Sequence, residues 1–377
     1  MAVFTTLAAA ETAAAASPQD DPIPESLTAQ PAAAATFSGP VNAITYADGK
    51  FFAGGEFDNA AAGGESYQRT SLAAVGTDGG LGKFSPELDG PVSALTHDAD
   101  YLYAAGMFTE ANGYEARHLV RFDLETGAVD QGFDVSVNAL PRALEIADDR
   151  LYLGGDFNSV NGESRSKIAA VSLSDGALVD EFTPSFDRGV RALEAANGNL
   201  YVGGGFTEVD GQASRKLTAL NRETGERDTG FAPEDLGLVY DIDVTDERVY
   251  TAVGGRGGRV ATYDTGGDLE WQRITDGDVT ALTIGGDTVV AGGHFDRLCD
   301  GTDLGDNGKC LDGVFADRGK LFAVDSGNEV SGWNPDGNSV TGTHALAHGG
   351  GMVAAGGAFT TFNDGETQRH GFALFPY

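Results

Sequence analysis

Apolar residues along this chain fall into short runs of four to seven, separated by Gly, Asn, Asp and Pro, and the runs recur in a fixed order. The plainest run ends in Gly-Gly-x-Phe. It reads FFAGGEF up to Phe57, YLYAAGMF up to Phe108, LYLGGDF up to Phe157 and LYVGGGF up to Phe206. It returns as VYTAVGG around Gly255, VVAGGHF up to Phe295 and VAAGGAF up to Phe359. The first four intervals are 51, 49, 49 and 49 residues, followed by 40 and 64, so the fifth copy is shortened and the sixth lengthened. Runs this short, bounded by turn residues, predict strands and no helices.

Each copy has four parts. A Val-x-Ala-Leu strand comes first: Val41-Asn42-Ala43-Ile44, Val92-Ser93-Ala94-Leu95, Val190-Arg191-Ala192-Leu193 and Val279-Thr280-Ala281-Leu282. The Gly-Gly-x-Phe strand is second. A polar loop leads to a third alternating strand, such as Lys216-Leu217-Thr218-Ala219-Leu220, closed by a turn such as Glu223-Thr224-Gly225. Gly supplies the positive φ of such turns. A fourth segment follows, with an aromatic and then a Pro: Phe84-Ser85-Pro86, Phe182-Thr183-Pro184, Phe231-Ala232-Pro233 and Trp333-Asn334-Pro335. Pro is confined to the edges of sheets, so this segment belongs on the outside.

A period of 40 to 50 residues built of four antiparallel strands is the signature of a propeller blade. The expectation is therefore an all-β, seven-bladed β-propeller with four-stranded blades. The paired glycines fit inner strands that approach too closely for a Cβ. The seventh copy lacks a fourth segment, whereas Thr36-Phe37-Ser38-Gly39-Pro40 matches that segment and has no blade of its own. It is expected to complete the last blade, leaving no open edge. The domain then spans 36–377. Residues 1–35 are assigned to a leader and linker, Ala- and Pro-rich, with a small-residue site near Ala16-Ser17 but no basic region before it.

The phrase LYVGGGFTEVDGQASRKLTALNRETGERDTGFAPEDLG, Leu200 to Gly237, resembles the delta-60 type repeat of bacterial secreted β-propellers. The resemblance extends over about Phe37 to Tyr377. It implies an extracellular or cell-surface module, and it carries no catalytic motif. The fifth copy departs from it, with Gly255 in place of Phe, as does the sixth through its insertion.

Charge narrows the partners. The chain has 377 residues, 57 of them acidic against 24 basic, a net charge of −33. Such a surface repels phosphate backbones and anionic headgroups, which disfavours nucleic acid and membrane surfaces. No run approaches the ~20 apolar residues of a membrane span. A monomer that binds a protein or polysaccharide is the expected role. The alternative is a carbohydrate-active hydrolase or lyase using carboxylates of the central channel. No nucleophile elbow, zincin motif, P-loop or Cys-x-x-Cys is present, so no catalytic residue and no cofactor are assigned.

Four sets of residues invite chemistry. An Arg stands before the third strand in every copy: Arg69, Arg117, Arg165, Arg215, Arg259, Arg318 and Arg369. A feature present in all copies suits a structural role, pairing with acids such as Glu56 or Asp156, better than a guanidinium ring for anions. Cys299 and Cys310 flank the polar stretch DGTDLGDNGK of the sixth copy. They suit either a disulfide of an oxidising compartment or two unrelated thiols. Asp300, Asp303 and Asp306 in that stretch are oxygen donors for Ca²⁺, although the spacing is no EF-hand. His294, His344 and His348 would be metal ligands only if neighbouring blades brought them together.

Overall fold

The computed structural model describes residues 21–234, 237–255, 257–301, 304–305 and 309–377, and among these every regular element is a β-strand. Residues 1–20, Asp303 and Asp306 fall outside the described residues.

Each sequence copy contributes one main antiparallel sheet built from its first three strands. In repeat four the first strand is Val190–Ala196, the second Asn199–Gly204 and the third Leu217–Asn221, paired in that order. Repeats one, two, three, six and seven have the same three-stranded order. The first strands of successive repeats lie side by side, and that of repeat seven (Thr343–Gly349) lies beside that of repeat one (Val41–Ala47). They therefore surround a common axis. The ladders themselves do not close, because the sheets of neighbouring repeats share no hydrogen bonds between first strands among the described residues.

What holds the sheets together is apolar packing. The core divides into seven clusters, each shared by two successive repeats. One of them joins Val41, Phe51 and Phe57 of repeat one to Ala354, Phe372 and Leu374 of repeat seven. The paired glycines have the predicted reason, in two parts. A Cβ on Gly203 would stand 2.5 Å from Val239 Cγ1 of the next repeat. A Cβ on Gly204 would stand 2.4 Å from the carbonyl oxygen of Gly189 in its own sheet. The first glycine admits the neighbouring sheet and the second admits its own first strand.

Four-stranded blades were expected, and among the described residues only repeat five has one. Its fourth strand, Leu269–Thr275, forms a full ladder with Gly258–Asp264. In repeats one to four and six the fourth segment meets the third strand through a single bridge, as between Leu220 and Arg227, and then leaves it. In repeats two and four the physical reason is a turn straight after the bridge, where the Asp130 and Asp228 carboxylates accept the N–H of Gly132 and Gly230. The aromatic itself is retained: Phe182 and Phe231 stand edge-on to Tyr152 and Tyr201, with ring centres 5.3 Å apart in each pair.

The segment beside the last repeat begins earlier than the sequence suggested. Thr28 N–H donates to the Pro376 carbonyl at 3.2 Å and Ala32 N–H to Leu374 at 2.8 Å. This matches the bond from Asp228 N–H to Ala219 in repeat four. Thr36–Phe37 lies further on and pairs with Asn59–Ala62 of repeat one. The residues from Pro22 to Ala35, assigned by composition to a linker, are thus packed, with Ile23 and Ala35 buried. Small side chains let that backbone lie flat along the third strand.

Candidate functional site

Every first strand carries a β-bulge against its second strand at the same place, and the bulged residue differs between repeats. The seven residues are Asn42, Ser93, Arg142, Arg191, Tyr240, Thr280 and His344. A bulge leaves its extra residue outside the ladder and re-aims the side chain. All seven line one cavity of about 440 Å³ at the axis, together with Glu56, Met107 and residues of the adjoining turns.

This ring has two unlike halves. In repeats one, two, six and seven the side chains are short and staple one repeat to the next. Ser93 Oγ donates to the Pro141 carbonyl at 2.6 Å, and Thr280 Oγ1 to the Thr343 carbonyl at 2.5 Å. Asn42 Nδ2 donates to the Val92 carbonyl at 3.5 Å, and His344 Nδ1 bonds Asn42 Oδ1 at 3.0 Å. In repeats three to five the side chains are long, and among the described residues none of them donates to a backbone carbonyl of the next repeat. Arg142 pairs with Asp156 at 2.7 Å. Arg191 lies over the Tyr240 ring, 5.2 Å from its centre, and has no carboxylate partner among the described residues. Tyr240 Oη donates to Asp278 at 3.3 Å. Burial, then the nearby Arg142, holds the Arg191 guanidinium below its ordinary pKa.

Deeper along the same three strands stand four carboxylic acids. Burial pushes Glu145 up to about 8, opposed by the Ala195 N–H and reinforced by Asp243. Burial pushes Asp241 to about 7; burial and then repulsion from Asp241 push Asp243 to about 7. Glu194 is raised well above the carboxylate range by burial and by repulsion from Glu145, Asp243 and Asp241. Their side chains are only half-buried by surface area, because they border the axial space. Their oxygens reach across repeats: Asp241 accepts the Leu282 N–H at 2.9 Å, and Asp243 accepts the Ile284 N–H at 3.1 Å.

None of the seven repeat arginines lines the axial cavity. Arg69 donates to the Gly82 carbonyl at 3.1 Å, Arg318 to Ser331 at 3.4 Å and Arg369 to Ala32 at 2.9 Å. All three acceptors belong to fourth segments, so these arginines tie outer segments to third strands. Arg165 faces Asp180 at 3.8 Å, and the exposed Arg117 pairs with Glu115. Arg117 borders a larger groove of about 590 Å³ between repeats two and three, lined by turn and linking residues of the scaffold. Arg215 is exposed and Arg259 is buried inside its strand. Glu56 and Asp156, the acids expected to pair with this set, belong to the axial mouth instead.

Cys299 and Cys310 form a disulfide, with Cα atoms 5.7 Å apart. It braces a hairpin, Arg297–Cys299 with Phe315–Asp317, that continues the sheet of repeat five through Thr275 and Leu298. Among the described residues, one group of three donors lies within metal-binding reach: Cys299, Cys310 and Asp312. Its sulfurs are spent in the disulfide and are not thiolates, so it does not suit a metal. Asp300 is exposed in this hairpin; its calcium partners Asp303 and Asp306 lie outside the described residues. The three histidines make separate bonds: His344 to Asn42, His348 to Thr283 Oγ1, and His294 to the Asp278 N–H.

The ring was missed because it occupies the x of Val-x-Ala-Leu, the position that does not repeat. That variability was itself the signal.

Over residues 146–169 the chain is similar to the model of a domain of unknown function (DUF5122) β-propeller. Among solved structures it is similar to the computationally designed Ika8 protein, at 13% identity and a TM-score of 0.50, with 92% of this chain and 100% of that one covered. It is also similar to the WD40 β-propeller domain of Doa1, at 9% identity and a TM-score of 0.51, covering 92% and 96%. At these identities the likeness concerns the fold. No curated protein matches the chain. The fold and the similarities define a β-propeller protein, a class that commonly mediates binding. Among the described residues no helix is long and apolar enough to cross a membrane.

Proposed function

We propose that this is a secreted or cell-surface propeller of seven blades, latched by its N-terminal segment, that serves as a non-catalytic binding module for a protein or polysaccharide. The ligand enters at the axial mouth. One observation carries this reading: scaffold positions repeat from copy to copy, whereas the bulge position holds six residue types in seven copies, and all seven face one cavity. Scaffolding does not need that diversity; recognition does. The disulfide suits an oxidising compartment. The seven shared core clusters favour the count of seven blades.

The test is thermal unfolding of the full chain against cell-wall glycans, surface proteins and Ca²⁺. A ligand at about 100 times its Kd adds roughly 2.7 kcal/mol. The shift is expected to disappear in Tyr240→Ala. A shift that survives both Tyr240→Ala and Arg191→Ala places the ligand elsewhere and overturns the axial reading.

A second reading is supported by the lumen acids. Carboxylic acids raised to about 7 and 8, as Asp241 and Glu145 are, suit general acid catalysis on carbohydrate. It requires turnover of a polysaccharide that is lost in Glu194→Gln while binding persists.

A further inference from the structure

The axial ring divides by side chain as well as by length, and the division specifies a ligand. On the stapled side, Ser93 and Thr280 spend their hydroxyl protons on backbone carbonyls of the next repeat. Their oxygens keep lone pairs, so this side offers acceptors to a ligand rich in hydroxyl groups. Opposite stand two guanidinium groups. Arg142 is neutralised by Asp156, whereas Arg191 is held flat on Tyr240 with no carboxylate of its own among the described residues.

An unneutralised guanidinium is conspicuous on a chain with 57 acidic residues to 24 basic ones. Glu56 lines the same cavity and Asp156 acts on Arg191 from its pairing with Arg142, yet the group that Arg191 lies against is the ring of an uncharged tyrosine. Stacking fixes the plane of the fork, so little freedom remains to be lost when a planar carboxylate docks. The lumen below carries carboxylic acids, Glu145, Glu194, Asp241 and Asp243, whereas the guanidinium groups stand at the mouth, so a negative group is received at the mouth.

We propose that the mouth binds a carboxylate-bearing saccharide, a uronic-acid sugar, with the carboxylate on Arg191, the sugar face against Tyr240 and hydroxyls towards Ser93 and Thr280. The cavity of about 440 Å³ is within the range of small-ligand sites and suits one or two sugar rings. The inference rests on the axial binding proposed above and adds the ligand class.

The experiment is calorimetric titration of the full chain with a glucuronate-containing tetrasaccharide, its carboxyl-reduced neutral counterpart and a Glu-rich peptide. The acidic tetrasaccharide is expected to bind, at least ~10-fold tighter than its neutral counterpart and with affinity falling as salt rises, the scale of one charge-assisted bond. Arg191→Gln should remove that preference, whereas Arg117→Gln, the same charge change at the rim, should leave it intact. Equal binding of the two tetrasaccharides, or a preference that survives Arg191→Gln, overturns the ligand class while leaving axial binding in place. Binding of the peptide alone overturns the saccharide. Binding of none of the three overturns the uronate proposal, and the ligand panel with Tyr240→Ala then decides the axial reading separately. Circular dichroism of each variant establishes that it is folded.

Discussion

The rim and the lumen of this propeller treat the same functional group in opposite ways. At the rim, Asp89, Asp187 and Asp276 stand just before the first strands of repeats two, four and six and clasp the loop that follows the second strand of the same repeat. Asp187 accepts the Thr207 N–H at 2.8 Å and the Glu208 N–H at 3.0 Å. Asp276 holds Asp296 and Arg297 in the same way, each at 2.9 Å. Burial pushes these carboxyls up, but the hydrogen bonds they accept outweigh it and hold them low. In the lumen, Glu145, Asp241 and Asp243 accept N–H bonds as well, Asp241 from Ile242 and Leu282, but burial and mutual repulsion outweigh them, and with Glu194 they are pushed up. Depth of burial decides the outcome. Near the surface the accepted hydrogen bonds prevail and the carboxylate is a fastener; deep among like charges they do not, and it is a proton store.

The sharpest consequence is the pH dependence of stability. A carboxyl raised in the folded state binds a proton there that the unfolded chain has already lost, so stability falls as pH rises. For the lumen acids this window runs from about 4 to about 8. The rim acids are ionised in both states throughout it, and their contribution disappears only below about 4. Taking the chain from pH 8 to pH 5 should therefore stabilise it, by on the order of 5 kcal/mol. Urea unfolding at the two pH values measures this, and an unchanged midpoint would mean that the lumen acids are ionised without strain.

Relief of general repulsion on so acidic a chain has the same sign, so a variant must separate the two. Glu145→Gln keeps the shape and removes one lumen charge. It should stabilise by about 2 kcal/mol at pH 8 and by almost nothing at pH 5. An equal effect at both pH values would assign the gain to packing.

Much of the scaffold was written openly in the chain. Gly-Gly-x-Phe gave the second strand, Val-x-Ala-Leu the first, and the aromatic-x-Pro segment the outer position, because each answers a local steric demand that recurs. The fourth strand was overcalled because the aromatic-x-Pro phrase marks an outer position, whereas the turn that ends the ladder lies before the aromatic, as at Asp130 and Asp228. The packing of Pro22 to Ala35 was hidden because Ala and Pro signal a linker in isolation, and only the neighbouring third strand makes them an outer segment. The axial ring was hidden for a different cause. Repetition is what sequence comparison within a chain detects, and the site is where repetition stops.

At the rim, Asp187→Ala removes the carboxylate oxygen that accepts two N–H groups of the loop, from Thr207 and Glu208. The expected cost is about 2 kcal/mol at pH 7, the scale of bonds to a charged group. It should be undiminished at pH 5 and fall away towards pH 3, where the wild-type carboxyl takes up its proton. A cost that already fades at pH 5 would place Asp187 with the lumen acids.

The smallest effect makes the finest test. Repeat three uses Asn138 where repeats two and four use Asp89 and Asp187, and its Oδ1 accepts the Asn158 N–H at 2.9 Å and the Ser159 N–H at 3.0 Å. The geometry of the clasp is the same and the charge is absent. If rim carboxylates act as acceptors that happen to be ionised, Asn138→Ala should cost about 1 kcal/mol, the scale of a neutral bond, and cost the same at every pH from 3 to 8. Asp187→Asn should then lose only the difference between the two scales, again about 1 kcal/mol, and become as indifferent to pH as repeat three. If instead Asp187→Asn proves as harmful as Asp187→Ala, charge rather than donor geometry holds the rim, and the contrast with the lumen rests on which charges have neighbours of like sign.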